Sequence, residues 1–352
     1  MKRVLIDLYK AKLPYSGLGQ FSLHLADHLQ KHPNSGFEFH FLFPTFEPQL
    51  IPSKRQFHKA DWKRRHLPSF GTSFDLWHSL HQFPSHNPPP STPQILTIHD
   101  LNFLVEKSER KAYKYLDRLQ KNVNKASILT TISQFTKEEI IKHLELGDKK
   151  IHVIYNGIPR IDQVEKTPPK GIDKSPFLFT LGILSAKKNF HTLLPMMQQM
   201  PTLKLFIAGD HQTSYGTELK KKISSLGLEK QVVLLGKVSE QEKQWLYSEC
   251  VAFVFPSIAE GFGMPIIEAM QAGKLVVCSD YSALPEIGGS VARYFRSFDP
   301  INMSKTVQNE IDVFNNNKIE RVLEAQAYAQ KFSWTQCSKA YIELYKEILN
   351  VS

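Results

Sequence analysis

Short, continuous apolar runs alternate with helical patterns twice along this chain, and that alternation constrains its fold more than any other feature. In the first set, Lys2–Ile6, Phe37–Phe43, Asp75–His78, Gln94–Ile98, Ser127–Thr131 and Ile151–Tyr155 read as strands. Phe21, Leu25 and Leu29 give Leu18–Lys31 a helical spacing, and Ser133 suits the N-cap of a further helix. The second set opens at Phe177. It has strands expected at Phe177–Leu181, Leu203–Ala208, Val232–Leu235, Val251–Phe255 and Leu275–Cys278, with helices that include Glu240–Ser248 and Met264–Ala272. Apolar strands separated by helices form parallel sheets covered on both faces.

The expected architecture is therefore α/β, with two doubly wound, Rossmann-like domains. Length agrees: 352 residues exceed the roughly 250–300 that one core accommodates. Residues 161–176, with Pro168, Pro169 and Gly171 among charges and little apolar patterning, read as the linker. It divides a first domain at residues 1–160 from a second at 177–333. Residues 334–352 place Cys337, Tyr341, Leu344 and Ile348 on one helical face, expected to pack back toward the first domain. Such sheets bind ligands outside the carboxyl ends of their strands, so the cleft between two domains is the expected site.

Net charge is +10, which favours anionic partners without naming them. No recognition motif for nucleic acid accompanies it. Lys54, Arg55, Lys59, Lys63, Arg64 and Arg65 cluster with Phe57, Trp62 and Phe70 interleaved. That mixture fits contact with an anionic membrane surface, and equally a surface loop. A second basic set, Lys107, Arg110, Lys111, Lys114, Arg118, Lys121 and Lys125, falls on a helical stretch and reads as a solvated face. Cys250, Cys278 and Cys337 form no pair or cluster, as expected of a reduced, cytoplasmic protein. The apolar run at the N-terminus stops at Asp7, too short for a signal peptide, and no run is long enough to span a bilayer.

The most informative segment is Glu260–Gly261–Phe262–Gly263–Met264–Pro265–Ile266–Ile267–Glu268. Gly261, Gly263 and Pro265 keep Glu260 out of a helix, and Pro265 suits a first helical turn. Glu260 then lies in a loop after a strand, and Glu268 projects from the following helix. The helix N-terminus attracts anions, so a diphosphate suits its amides. The carboxylates would repel that diphosphate and instead suit vicinal hydroxyls. A bare pair of glutamates at this spacing would be a surface residue and a capping residue; the intervening glycines and proline argue otherwise.

This segment resembles the E-x7-E signature of retaining glycosyltransferases of family 4, which have the GT-B architecture of two facing Rossmann-like domains. Ser16-Gly17-Leu18-Gly19-Gln20-Phe21, Thr97-Ile98-His99-Asp100, the stretch from Leu181-Gly182 to Lys188-Asn189-Phe190, and Ser282–Ile287 resemble further family motifs in the family's order. The resemblance implies that Glu260 holds donor-sugar hydroxyls and Glu268 the ribose. It implies that Lys188 stabilises the departing diphosphate, that Gly17 and Gly19 bring amides to the phosphates, and that His99 contacts the sugar. Gly261, Phe262, Gly263 and Met264 would line the donor. Where many members carry an arginine, this chain has Ile183, so Lys187 is the candidate second cation; Gln20 is another departure. Taken singly, Gly17 and Gly19 would be a turn, His99-Asp100 a strand end and Lys188 a surface lysine. His78 and His81 read as structural or cleft-lining.

The resemblance implies hexose transfer, with mannose preferred over a uridine-diphosphate-glucose type of donor. The acceptor would be a glycan or lipid-linked hydroxyl, and no metal or other cofactor is expected. It places the enzyme in cell-surface polysaccharide or glycolipid synthesis, cytoplasmic or peripheral at the inner membrane face. The alternatives are a GT-B protein that binds without turnover, and a phosphorylase or epimerase of the same architecture.

Overall fold

The computed structural model describes residues 1–13, 16–32, 35–45, 54–66, 71–159, 165–173 and 175–351. The chain divides into two compact units, Met1–Pro159 with Phe332–Ser352, and Arg160–Lys331.

The first unit is built on a parallel sheet. Its strands are β1 (Lys2–Asp7), β2 (Phe37–Phe43), β3 (Phe57–Lys59), β4 (Leu76–Ser79), β5 (Gln94–Ile98), β6 (Ile128–Thr131) and β7 (Ile151–Val153). Among the described residues their order is β3-β2-β1-β4-β5-β6-β7. The order reverses between β1 and β4, which register Val4 against Leu76 and Asp7 against Ser79. β1 is buried from Val4 onward because helices cover both faces. The helix Gly17–Gln30 supplies Phe21, Leu25 and Leu29 to that core. The helix Trp334–Leu349 supplies Trp334, Tyr341, Leu344 and Tyr345 to the same core, so the C-terminal segment belongs to this unit.

Two features depart from the expected pattern. Part of the basic, aromatic Lys54–Arg65 segment is the edge strand β3, with Phe57 registered against Phe41. Three residues are too few to show a period, so pairing rather than sequence defines this strand. Its neighbour Trp62–His66 is a helical turn, and Phe70 lies outside the described residues.

The second unit holds β8 (Phe177–Leu181), β9 (Lys204–Ala208), β10 (Val232–Gly236), β11 (Ala252–Phe255), β12 (Leu275–Ser279) and β13 (Arg293–Phe295). All described pairings are parallel, in the order β10-β9-β8-β11-β12-β13. Phe179, Phe253 and Phe255 are fully buried between the helical layers. Of the stretch read as a linker, residues 161–164 and Lys174 lie outside the described residues. The rest is irregular but tied to this unit: the Thr167 amide donates to the Gln241 carbonyl at 3.3 Å, and Lys204 pairs with Asp173. Two further helices, Pro300–Asn316 and Lys318–Ala329, complete the unit.

Candidate active site

The second sheet reverses its winding between β8 and β11, and the chemistry-bearing residues follow those strands. Just after β8, Ala186–Lys188 make one 3₁₀ turn, which Asn189 ends in the left-handed region at φ +56°. Just after β11 comes Ser257 to Gly263. Crevices outside the carboxyl ends of strands at such a reversal receive ligands in doubly wound sheets.

Lys188 and Glu260 meet there. Lys188 Nζ donates to Glu260 Oε1 at 2.5 Å, and each side chain is only 12% exposed. Ser257 donates to the same oxygen at 2.6 Å. Burial alone would push the Glu260 carboxyl up. The charges of Lys188 and Lys187 and the two hydrogen bonds outweigh it, holding Glu260 below its ordinary value and ionised at neutral pH. The Glu260 amide donates to Ser282 Oγ at 2.9 Å, and Ser282 itself adopts φ +55°. The Ile258 amide donates to the Lys187 carbonyl at 2.8 Å, which ties the two loops together; that carbonyl also lies 3.1 Å from Ser257 Oγ, whose one proton goes to Glu260 Oε1. Lys188 Nζ also sits 4.8 Å from the centre of the Phe255 ring, a favourable cation–π placement.

Glycine is required at two places here. Gly263 caps the helix Met264–Gln271 at φ +102°, and a Cβ on it would lie 2.6 Å from Leu284 Cδ2. Gly209 has φ +135°, and its Cβ would lie 1.9 Å from the Gly182 carbonyl oxygen. Gly182 in turn presses on the Lys188 side chain, where a Cβ would meet Cε at 2.9 Å.

Glu268 stands on the Met264–Gln271 helix. Its Oε1 accepts from Lys243 Nζ at 3.3 Å and its Oε2 from the Tyr247 hydroxyl at 2.8 Å. Both donors come from the helix Glu240–Glu249.

Comparisons with known proteins carry this further. A family model described as Glycosyl transferases group 1 matches residues 162–330, and one described as Glycosyltransferase Family 4 matches residues 15–160. The chain belongs to the family-4 glycosyltransferases of GT-B architecture. It is 29% identical over 240 residues to the O-antigen chain mannosyltransferase RfbU of Salmonella typhimurium, covering 66% of each chain. It is 24% identical over 324 residues to the O-antigen chain mannosyltransferase B of Escherichia coli, covering 85% of this chain and 81% of that one. The fold resembles that of sucrose-phosphate synthase from Thermosynechococcus elongatus, with a TM-score of 0.77 at 16% identity over the full length of both chains.

The first unit of this glycosyltransferase holds the remaining expected site residues. Ser16 caps the helix Gly17–Gln30, and its Oγ accepts from the Gly19 amide at 3.0 Å. The Gly19 amide is thus engaged by the cap. Gly17 is exposed at the first helical position. His99 follows β5 directly and is buried, with Nε2 2.8 Å from the Leu80 carbonyl. A carbonyl only accepts, so Nε2 carries the proton and Nδ1 holds a lone pair. Burial pushes His99 down to about 4, against the hydrogen bond to Leu80, so the ring is neutral at pH 7. It can accept from a hydroxyl but cannot act as an acid.

His78 bonds Tyr345 and Thr97 through its two nitrogens, at 2.7 and 2.8 Å, and is a core residue. Ile183 is 54% exposed, and Gln20 bonds His24. Ser257, Lys243 and Tyr247 escaped the sequence reading, and Ser282 entered it only as the start of a motif, with no contact assigned. The signal available for Ser257 was its place three residues before Glu260; the others are distant in sequence from the glutamates they touch.

Proposed function

We propose that this glycosyltransferase moves a mannosyl group from guanosine diphosphate mannose to a hydroxyl of a glycan or lipid-linked acceptor, with retention at the anomeric carbon. The observation that carries the reading is the Lys188–Glu260 pair at the sheet reversal. A carboxylate held ionised suits sugar hydroxyls, which donate to it. A fixed ammonium beside it suits the diphosphate, whose negative charge grows as the glycosidic bond to the sugar breaks. The naming of RfbU and of mannosyltransferase B as O-antigen chain mannosyltransferases supports mannose and polysaccharide synthesis.

In this reading Glu268 holds the ribose and His99 accepts from a sugar hydroxyl. Lys187, through its charge, supports Lys188. The amides of Gly263 and Met264 face the donor phosphates at the start of their helix. Gly261 and Phe262, both buried, shape the loop beneath it. No metal is needed, because Lys188 supplies the cation; saturating chelator should leave the rate unchanged. The test is nucleoside diphosphate release with a panel of nucleotide sugars and acceptors. Release with guanosine diphosphate mannose, abolished in Glu260→Ala, supports the reading. Release confined to uridine diphosphate glucose replaces the donor, and no release with any donor removes the activity.

We further propose peripheral contact with anionic membrane. No helix among the described residues is long and apolar enough to cross one. Trp62 is 73% exposed beside exposed Lys63 and Arg65. Sedimentation with anionic but not neutral vesicles supports this contact; equal binding to both overturns it.

A further inference from the structure

We infer that Tyr247 and Lys243 are positioning residues that prepare Glu268 to receive two vicinal hydroxyls of the donor ribose. The inference rests on the reading of Glu268 as the ribose holder. A glutamate on a helix surface samples several rotamers, and ordering it on ligand binding opposes that binding. Here the neighbouring helix orders it beforehand.

Tyr247 is fully buried, its ring edge-on to Phe179 at 5.1 Å and tilted against Phe253 at 5.4 Å. Its hydroxyl has one proton and two acceptors in reach, Glu268 Oε2 at 2.8 Å and the Pro265 carbonyl at 3.3 Å. The shorter distance and the negative charge select Glu268. Burial, and then the Glu268 charge, push the Tyr247 hydroxyl well above its ordinary value, so it remains a donor at any working pH.

Lys243 bridges Glu240 Oε2 at 3.0 Å and Glu268 Oε1 at 3.3 Å. Burial would lower its pKa, but the two carboxylates raise it, so it stays cationic. Its charge offsets that of Glu268, which would otherwise repel an anionic nucleotide.

The lone pairs of Glu268 leave room for a diol. A carboxylate offers about two acceptor sites on each oxygen. Lys243 takes one on Oε1 and Tyr247 takes one on Oε2. One remains on each oxygen, and a vicinal diol brings two hydroxyl protons to match. Fixing both oxygens from one side turns the carboxylate into a two-point receiver rather than a mobile charge.

Steady-state kinetics with guanosine diphosphate mannose and its 2′,3′-dideoxyribose analogue test this, using the uridine diphosphate glucose pair if the panel selects that donor. Tyr247→Phe and Lys243→Met should each raise KM for the ribose donor about five- to tenfold, with kcat within about twofold. Tyr247→Phe should leave KM for the dideoxy analogue unchanged; Lys243→Met should raise it, but less than for the ribose donor, because the uncompensated Glu268 charge repels either nucleotide, and Lys243→Arg should restore much of the loss. An equal rise for both donors means a merely structural role and overturns the proposal, as does no rise for either. Glu268→Gln is the separate control. If it leaves the preference for ribose over dideoxyribose intact, the ribose assignment itself falls. If it removes the preference while Tyr247→Phe and Lys243→Met do not weaken it, only the positioning role falls.

Discussion

Lys188 Nζ and Glu260 Oε1 lie 2.5 Å apart across 72 residues of sequence, each side chain 12% exposed. Neither is replaceable alone. Removing one partner of a largely buried ion pair leaves the other charged and poorly solvated, which costs about 3–5 kcal/mol in full burial. Lys188→Ala should therefore lower both the melting temperature and kcat, the latter about 10²–10³-fold. The double change Lys188→Met with Glu260→Gln should regain most of the melting temperature in calorimetry and none of the activity. Recovery of activity would mean that the pair is structural.

The glycines near this pair should rank by what their Cβ would meet. Gly209→Ala drives a methyl into the Gly182 carbonyl, which is backbone and cannot yield. It should lose about 3 kcal/mol or more in urea unfolding. Gly263→Ala meets only the Leu284 side chain and should lose about 1–3 kcal/mol. Gly171→Ala, at φ +78° with nothing within 4 Å, carries only the backbone term of about 1–2 kcal/mol. Gly182→Ala, at φ +156°, carries the backbone term and also presses on Lys188, so it should lower both stability and kcat.

Acid should destabilise the first unit well above the ordinary carboxylate range. His78 and His81 are lowered to about 3 and His99 to about 4, each chiefly by burial. An unfolded histidine titrates near the ordinary value of 6.5, so between about pH 6.5 and 4 the unfolded chain binds protons the folded chain refuses. Stability is present above that window and falls as pH drops through it. Asp7 opposes the trend. Burial raises it to about 6, against the Tyr9 amide and Lys10, so folding takes up a proton there. Asp7→Asn should steepen the decline of melting temperature on acidification. A slope unchanged by that substitution would contradict the assignment.

The depressed Glu260 carboxyl predicts a different pH response for donor binding. Its ionised form is present above its folded pKa and lost only below it, so donor affinity should stay flat from about pH 8 to 5 as far as this group decides it. Calorimetric titration across that range checks this. In Lys188→Met the carboxyl should rise, and affinity should begin to fall at higher pH than in the wild type.

Tyr345→Phe removes the 2.7 Å hydrogen bond to His78 and should destabilise the first unit by about 1–2 kcal/mol. Tyr341→Ala empties a fully buried site and should cost about 3–5 kcal/mol. Hydrogen exchange should show both losses in β1 and β4, with the second unit's strands unaffected.

The sheet cores were legible because their strands are unbroken apolar runs, as in Phe177–Leu181 and Val251–Phe255, whose observed bounds differ by a residue at most. The loop at Glu260 was legible because Gly263 and Pro265 allow few backbone paths. The edge strands Phe57–Lys59 and Arg293–Phe295 were not, since three residues carry no period and only a neighbour defines them. Tyr247 and Lys243 were hidden for another reason. They fall within an ordinary helix, and their meaning depends on Glu268, which follows more than 20 residues later on another element. The Ser16 cap on the Gly19 amide was not read from the sequence, since the glycines drew attention before the serine ahead of them.

The helix Trp334–Leu349 completes the core that Phe21, Leu25 and Phe39 begin. During synthesis those residues leave the ribosome long before their partner exists. The second unit, a continuous stretch, can finish while the first still waits with an apolar face uncovered. The first domain to be made is therefore the last to mature, and its exposure to chaperones and proteases is set by the time needed to translate everything in between.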